Sequence, residues 1–118
     1  MVDIARKKVG YYGPAAMNRE LKTAMPMDQI KALCAKWKIR EFALFGSVLR
    51  DDFRPDSDID VLISFHPQAG WSLWDLFDLQ DELKVLFRRE VDLIEKEGLR
   101  NPFRRHEILA TRQVLYAA

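Results

Sequence analysis

Sulfur ligands, membrane-length apolar runs and net charge are all scarce in this 118-residue chain, and each scarcity excludes something. The single cysteine, Cys34, cannot form an internal disulfide and fits a reducing compartment. With one Cys and two separated histidines, His66 and His106, no zinc cluster of ordinary ligand spacing can be assembled. No apolar stretch approaches the roughly 18–20 residues of a membrane span, and no apolar run near the N-terminus leads to a cleavage site. A cytoplasmic location without membrane partners is the expectation. Repeats and low-complexity tracts are missing, which excludes solenoids and arrays. Charge nearly cancels, 19 Lys and Arg against 18 Asp and Glu, so direct nucleic-acid binding lacks its usual basic footprint.

What is there suits one globular domain: 48% hydrophobic and 31% charged residues in a length close to the single-domain mode. The near-neutral total hides an asymmetry. Residues 1–40 carry nine basic and three acidic side chains, whereas residues 51–82 carry nine acidic ones and a single basic one, Arg54. Carboxylates gathered in this way face either solvent or cations.

Residues 1–26 read as a basic N-terminal extension, a mobile or peripheral arm punctuated by Gly10, Gly13, Pro14 and Pro26. Residues 27–118 form the domain. Pro26 and Asp28 start a helix whose apolar face is Ile30, Leu33, Cys34 and Trp37, so Cys34 is a core residue and not a nucleophile. Phe42 to Phe45 and Ile59 to Phe65 are strands, separated by Gly46-Ser47 and a charged loop with Pro55. Ser72 and Asp75 form a capping box for a helix with a broad apolar side: Leu73, Leu76, Phe77, Leu79, Leu83, Leu86 and Phe87. Trp71 and Trp74 are assigned to core packing over an interface. Val91 to Ile94 is a third strand, Asn101-Pro102 opens a last helix, and Val114 to Tyr116 closes the chain as a short strand. The order is α-β-β-α-β-α with a terminal β, an α/β layer.

Chemistry concentrates between Gly46 and Asp60. A strand ending in Gly46-Ser47 brings backbone close to a ligand and offers a hydroxyl and amides to an anion. Asp58 and Asp60, one residue apart at a strand start, project from the same face while Ile59 points to the core. Two neighbouring carboxylates call for a hard cation, Mg²⁺, together with substrate phosphates. Asp92 is a lone acid in the apolar strand Val91-Asp92-Leu93-Ile94; beside the Asp58–Asp60 strand it completes a triad able to hold two Mg²⁺ ions. Asp92 is also the candidate acceptor for the proton of an attacking hydroxyl. The competing readings are an Asp-x-Asp turn or cap, and a strand-end ion pair of Asp92 with Arg88 or Arg89.

Gly46-Ser47, ten residues, then Asp58-Ile59-Asp60 resembles the signature of minimal nucleotidyltransferase domains in the DNA polymerase β superfamily. The resemblance runs from about residue 28 to 116. It implies a small mixed β-sheet flanked by helices, the polymerase β palm-like fold. It also implies that Ser47, with Gly46, binds the triphosphate of ATP and that Asp58, Asp60 and Asp92 hold metal. Arg50 falls where members often carry a phosphate-binding Arg, and Ser57 either caps a turn or aids the phosphate contact. Leu49 and Asp51 depart from the family, standing where many members have a small residue and a glycine. A stand-alone domain of this kind resembles the antitoxin half of gene pairs whose other half is an HEPN-domain ribonuclease toxin, the type VII arrangement. The expected reaction moves AMP from ATP onto a hydroxyl of that toxin, a tyrosine, with the partner supplying the acceptor platform that this short chain lacks. The alternatives are neutralisation by binding alone, and transfer to a small molecule or an RNA end.

Overall fold

In the computed structural model, residues 25–49 and 57–118 are described. The N-terminal extension up to residue 24 and the loop from Arg50 to Asp56 lie outside them. The elements are α1 (Met27–Lys36), β1 (Ile39–Phe45), a 3-10 turn (Gly46–Leu49), β2 (Ile59–Phe65), α2 (Leu73–Phe87), β3 (Val91–Glu95), a second 3-10 turn (Lys96–Gly98), α3 (Pro102–Thr111) and β4 (Gln113–Ala117). The strands form one mixed sheet in the order β3-β2-β1-β4. Strand β1 pairs antiparallel with β2 and with β4, and β2 pairs parallel with β3. A parallel pair cannot be closed by a tight turn, so α2 serves as the crossover from β2 to β3.

Strand alternation divides the core between the two faces of the sheet. Ile39, Phe42, Leu44, Ile59, Val61, Ile63 and Val91 pack with Ile30, Leu33 and Cys34 of α1 and Leu79 and Leu83 of α2. Ala43, Phe45 and Leu62 pack on the opposite face with Leu99, just after the second 3-10 turn, and Ile108 of α3. The sheet is therefore the middle layer of three, and Asp60 and Ser64 share the α3 face with Leu62.

Local chemistry sets the helix limits. Ser72 Oγ accepts from the Asp75 backbone amide while the Asp75 carboxylate accepts from the Ser72 amide, the capping box expected from the sequence. Asn101 Oδ1 accepts from the amides of Phe103 and Arg104, and Pro102 stands at the first helical position. A cap contributes about 1 kcal/mol, whereas each fully buried leucine contributes about 2 kcal/mol. Leu79 and Leu83 thus dock α2, and Ser72 decides where it begins.

Three expectations need correction. Strand β1 begins at Ile39, not Phe42, because Lys38 takes a left-handed conformation (φ 57°) that turns the chain straight out of α1. Ile39 then lies in the core and Glu41 in an ionic cluster. The apolar side of α2 is narrower than its periodicity suggests: Leu79 and Leu83 are buried, while Leu73 and Phe77 are exposed. Trp74 is 75% exposed and is no core residue, because it lies on the side of α2 turned away from the sheet. Trp71, by contrast, is half-buried; its Nε1 donates to the Trp37 carbonyl at 2.6 Å and its ring packs on Trp37 at 4.8 Å.

Candidate active site

The end of β1, the start of β2 and the start of β3 meet at one end of the sheet. Phe45 pairs with Asp60 across the antiparallel ladder, so the Gly46 turn follows directly beside that carboxylate. Asp60 in turn is in register with Asp92 on the parallel neighbour. Residues paired in register project from the same face, and neighbouring strands lie about 4.8 Å apart. Asp58, two residues before Asp60, falls on that face as well; it is exposed, as is Asp92, and Asp60 is half-buried. The parallel β2–β3 pairing is what turns two sequence motifs 32 positions apart into one constellation.

Gly46 is fitted to this place twice over. Its φ of +75° lies in the left-handed region, where a side chain is strained. A Cβ there would also overlap Asp60 Oδ2 and come within 3.2 Å of its Cγ. Only a residue without a side chain lets the turn close against the carboxylate. Ser47 follows within the same 3-10 turn. Ser57 is half-buried in the bend leading to β2, and Arg50 lies outside the described residues. Among the described residues, no three His, Cys, Asp or Glu side chains close on one point as a metal cage. The donor chemistry nonetheless suits Mg²⁺: hard carboxylate oxygens on a shared face, with a glycine leaving open backbone beside them.

Cys34 is fully buried, and burial pushes its thiol up to about 12, in keeping with a core role. His66 and His106 are exposed. Sequence reasoning missed Glu41. Burial raises its pKa, but hydrogen bonds from Lys96 Nζ (3.0 Å) and Arg112 Nε (2.6 Å) outweigh burial and hold the carboxyl below its usual range. Its partners are 55 and 71 residues away, so no local pattern announces them. The cluster ties β1 to the second 3-10 turn and to the end of α3, and is structural. Among the described residues no helix is long and apolar enough to cross a membrane.

Known proteins resemble this chain in sequence and in fold. The model of the nucleotidyltransferase domain family matches residues 27–115. A candidate protein adenylyltransferase of Methanocaldococcus jannaschii is 38% identical over 73 residues, which cover 62% of this chain and 72% of the relative. A solved candidate minimal nucleotidyltransferase superposes with a TM-score of 0.64 at 33% identity, over 82% of this chain and 95% of the other. The fold is shared too with the complex of a tri-AMPylated HEPN toxin of Shewanella oneidensis and its MNT antitoxin, at a TM-score of 0.58 and 18% identity, over 78% of this chain and 70% of that one. With most of its length matched and its Gly46 turn set against in-register carboxylates, the chain belongs to the nucleotidyltransferase domain family and is an enzyme of the nucleotidyltransferase class.

Proposed function

We propose that this enzyme transfers AMP from ATP to a hydroxyl of a partner protein, an HEPN-domain toxin, and thereby acts as its antitoxin. The observation that carries the reading is the register of Asp60 with Asp92 beside a left-handed glycine turn packed against the Asp60 carboxylate. The naming of the Methanocaldococcus relative as a protein adenylyltransferase supports the reaction, and the AMPylated HEPN toxin held by a domain of this fold supports the partner. Asp58, Asp60 and Asp92 would hold Mg²⁺, which neutralises phosphate charge and orients the triphosphate for in-line displacement. Gly46 and Ser47 would receive the triphosphate on the backbone of the 3-10 turn, with Arg50 and Ser57 as further phosphate contacts. Asp92, which is exposed, would accept the proton of the incoming hydroxyl, a tyrosine of the toxin. That oxygen forms a new bond to the α-phosphorus, and pyrophosphate leaves.

The test combines the chain with labelled ATP, Mg²⁺ and the product of the neighbouring gene, which the proposal requires to be an HEPN-domain protein. Label is expected on the partner and is expected to disappear with Asp58→Ala or Asp60→Ala. Full neutralisation of the toxin by those variants, with no label transferred, would overturn the catalytic reading in favour of binding alone. Label incorporated without a protein partner would redirect it to a small molecule or RNA end.

A further inference from the structure

The outer side of α2 is an unusual surface for so small a protein. Leu73 (64% exposed), Trp74 (75%) and Phe77 (49%) stand out from its first two turns, and the Trp74 and Phe77 rings pack on each other at 6.0 Å instead of on the core. Asp78 follows Trp74 by four residues and Asp81 follows Phe77 by four, so both acids continue the same helix face. Both are exposed, and no ion pair among the described residues engages them; the lysine on this helix, Lys84, pairs with Glu90. Large aromatic groups left in water beside unneutralised carboxylates mark a contact surface.

We infer that this face of α2 is the docking site for the protein substrate, and that the matching surface of the partner is apolar and flanked by Lys or Arg. Charge complementarity selects that chemistry: Asp78 and Asp81 repel an acidic partner and attract a basic one. Distance selects a macromolecule. From Trp74 to the end of α2 at Phe87 the helix rises about 20 Å, and only then does the chain reach Asp92 on β3. An acceptor anchored on Trp74 and reaching the carboxylates must span that length, which a small molecule cannot. Recognition is then separate from chemistry, the helix supplying affinity and the end of the sheet supplying the reaction. This inference rests on the protein-acceptor reading above, and its test distinguishes the failure of one from the failure of the other.

The measurement is the affinity of the full chain for the protein product of the neighbouring gene, by calorimetry, with label transfer in parallel. Trp74→Ala/Phe77→Ala is expected to weaken binding about thirtyfold or more and to raise the KM for the partner. ATP binding and the thermal midpoint should not move, because both rings are outside the core. Asp78→Lys/Asp81→Lys is expected to weaken binding further and to flatten its dependence on salt. Affinity within threefold of wild type for both double variants overturns the docking site. A wild-type dimer made monomeric by Trp74→Ala/Phe77→Ala, with partner affinity unchanged, overturns it as well and assigns the face to self-association. Wild-type label transfer separates the two: no label on the partner from the wild type, while both double variants still weaken binding, overturns the transfer reading alone and leaves the docking site standing.

Discussion

Gly46 and Gly70 allow the role of the turn at the catalytic end to be isolated by a matched pair of substitutions. Both have nearly the same left-handed conformation, φ +75° and +71°. Alanine at either position carries the same backbone penalty, about 1–2 kcal/mol. The surroundings differ. At Gly70 an added Cβ meets only the Gln68 carbonyl oxygen, at 3.9 Å, an ordinary contact. At Gly46 it overlaps the Asp60 carboxylate. That overlap has two outlets: the crowding remains and costs about 1–3 kcal/mol more, or the Asp60 side chain swings aside and the energy is relieved at the expense of its position. Urea unfolding followed by tryptophan fluorescence gives the stability of each variant, and transfer of labelled AMP gives its activity. Gly70→Ala is expected to lose about 1–2 kcal/mol and keep its rate. If the Asp60 carboxylate serves the transfer as proposed, Gly46→Ala is expected to lose the rate, by about a hundredfold or more where that carboxylate is displaced. The reasoning is refuted if the two variants are equally stable and Gly46→Ala retains wild-type transfer.

Two further predictions concern buried groups. Glu41 has a folded-state pKa below its unfolded value, so its stabilisation is complete above the unfolded value and is lost as pH falls through the folded one. Urea midpoints between pH 7 and pH 3 should therefore decline more steeply for wild type than for Glu41→Gln; Glu41→Ala, which leaves two half-buried cations uncompensated, should cost about 3 kcal/mol at neutral pH. The Cys34 thiol, raised to about 12 by burial, should resist alkylation at pH 8 in the folded protein and react at once in urea. Rapid labelling of the native state would contradict its place in the core.

The candidate site was more legible in the sequence than the surfaces around it, for a physical reason. Asp58, Asp60 and the Ser72–Asp75 cap act through neighbours one to three residues away, and period-two alternation places Ile59 and Asp60 on opposite faces without any knowledge of the fold. Asp92 needed one assumption, that its strand lies beside β2, and the parallel register bears it out. Periodicity overestimated the burial of α2 because it reports which side of a helix is apolar, not how much of that side the sheet can cover. Leu73 and Phe77 look like core in a sequence and stand in water in the fold. The Glu41 cluster joins elements far apart in the chain, and the turn at Lys38 uses a left-handed lysine in place of the usual glycine. Neither leaves a local trace.

The parallel pairing of β2 with β3 also governs how this enzyme can tolerate change in length. Side chains alternate along a strand, so slipping β3 by one position would send Asp92 to the α1–α2 face and bring Val91 or Leu93 beside Asp60. A single-residue insertion or deletion between Phe87 and Val91 should thus be far more damaging to transfer than its effect on stability suggests. Loss or gain of residues in the connection from β3 to α3, which leaves β3 in register with β2, should do far less to transfer. The carboxylate pair of the candidate site depends on counting, and the short segment after α2 is where the count is kept.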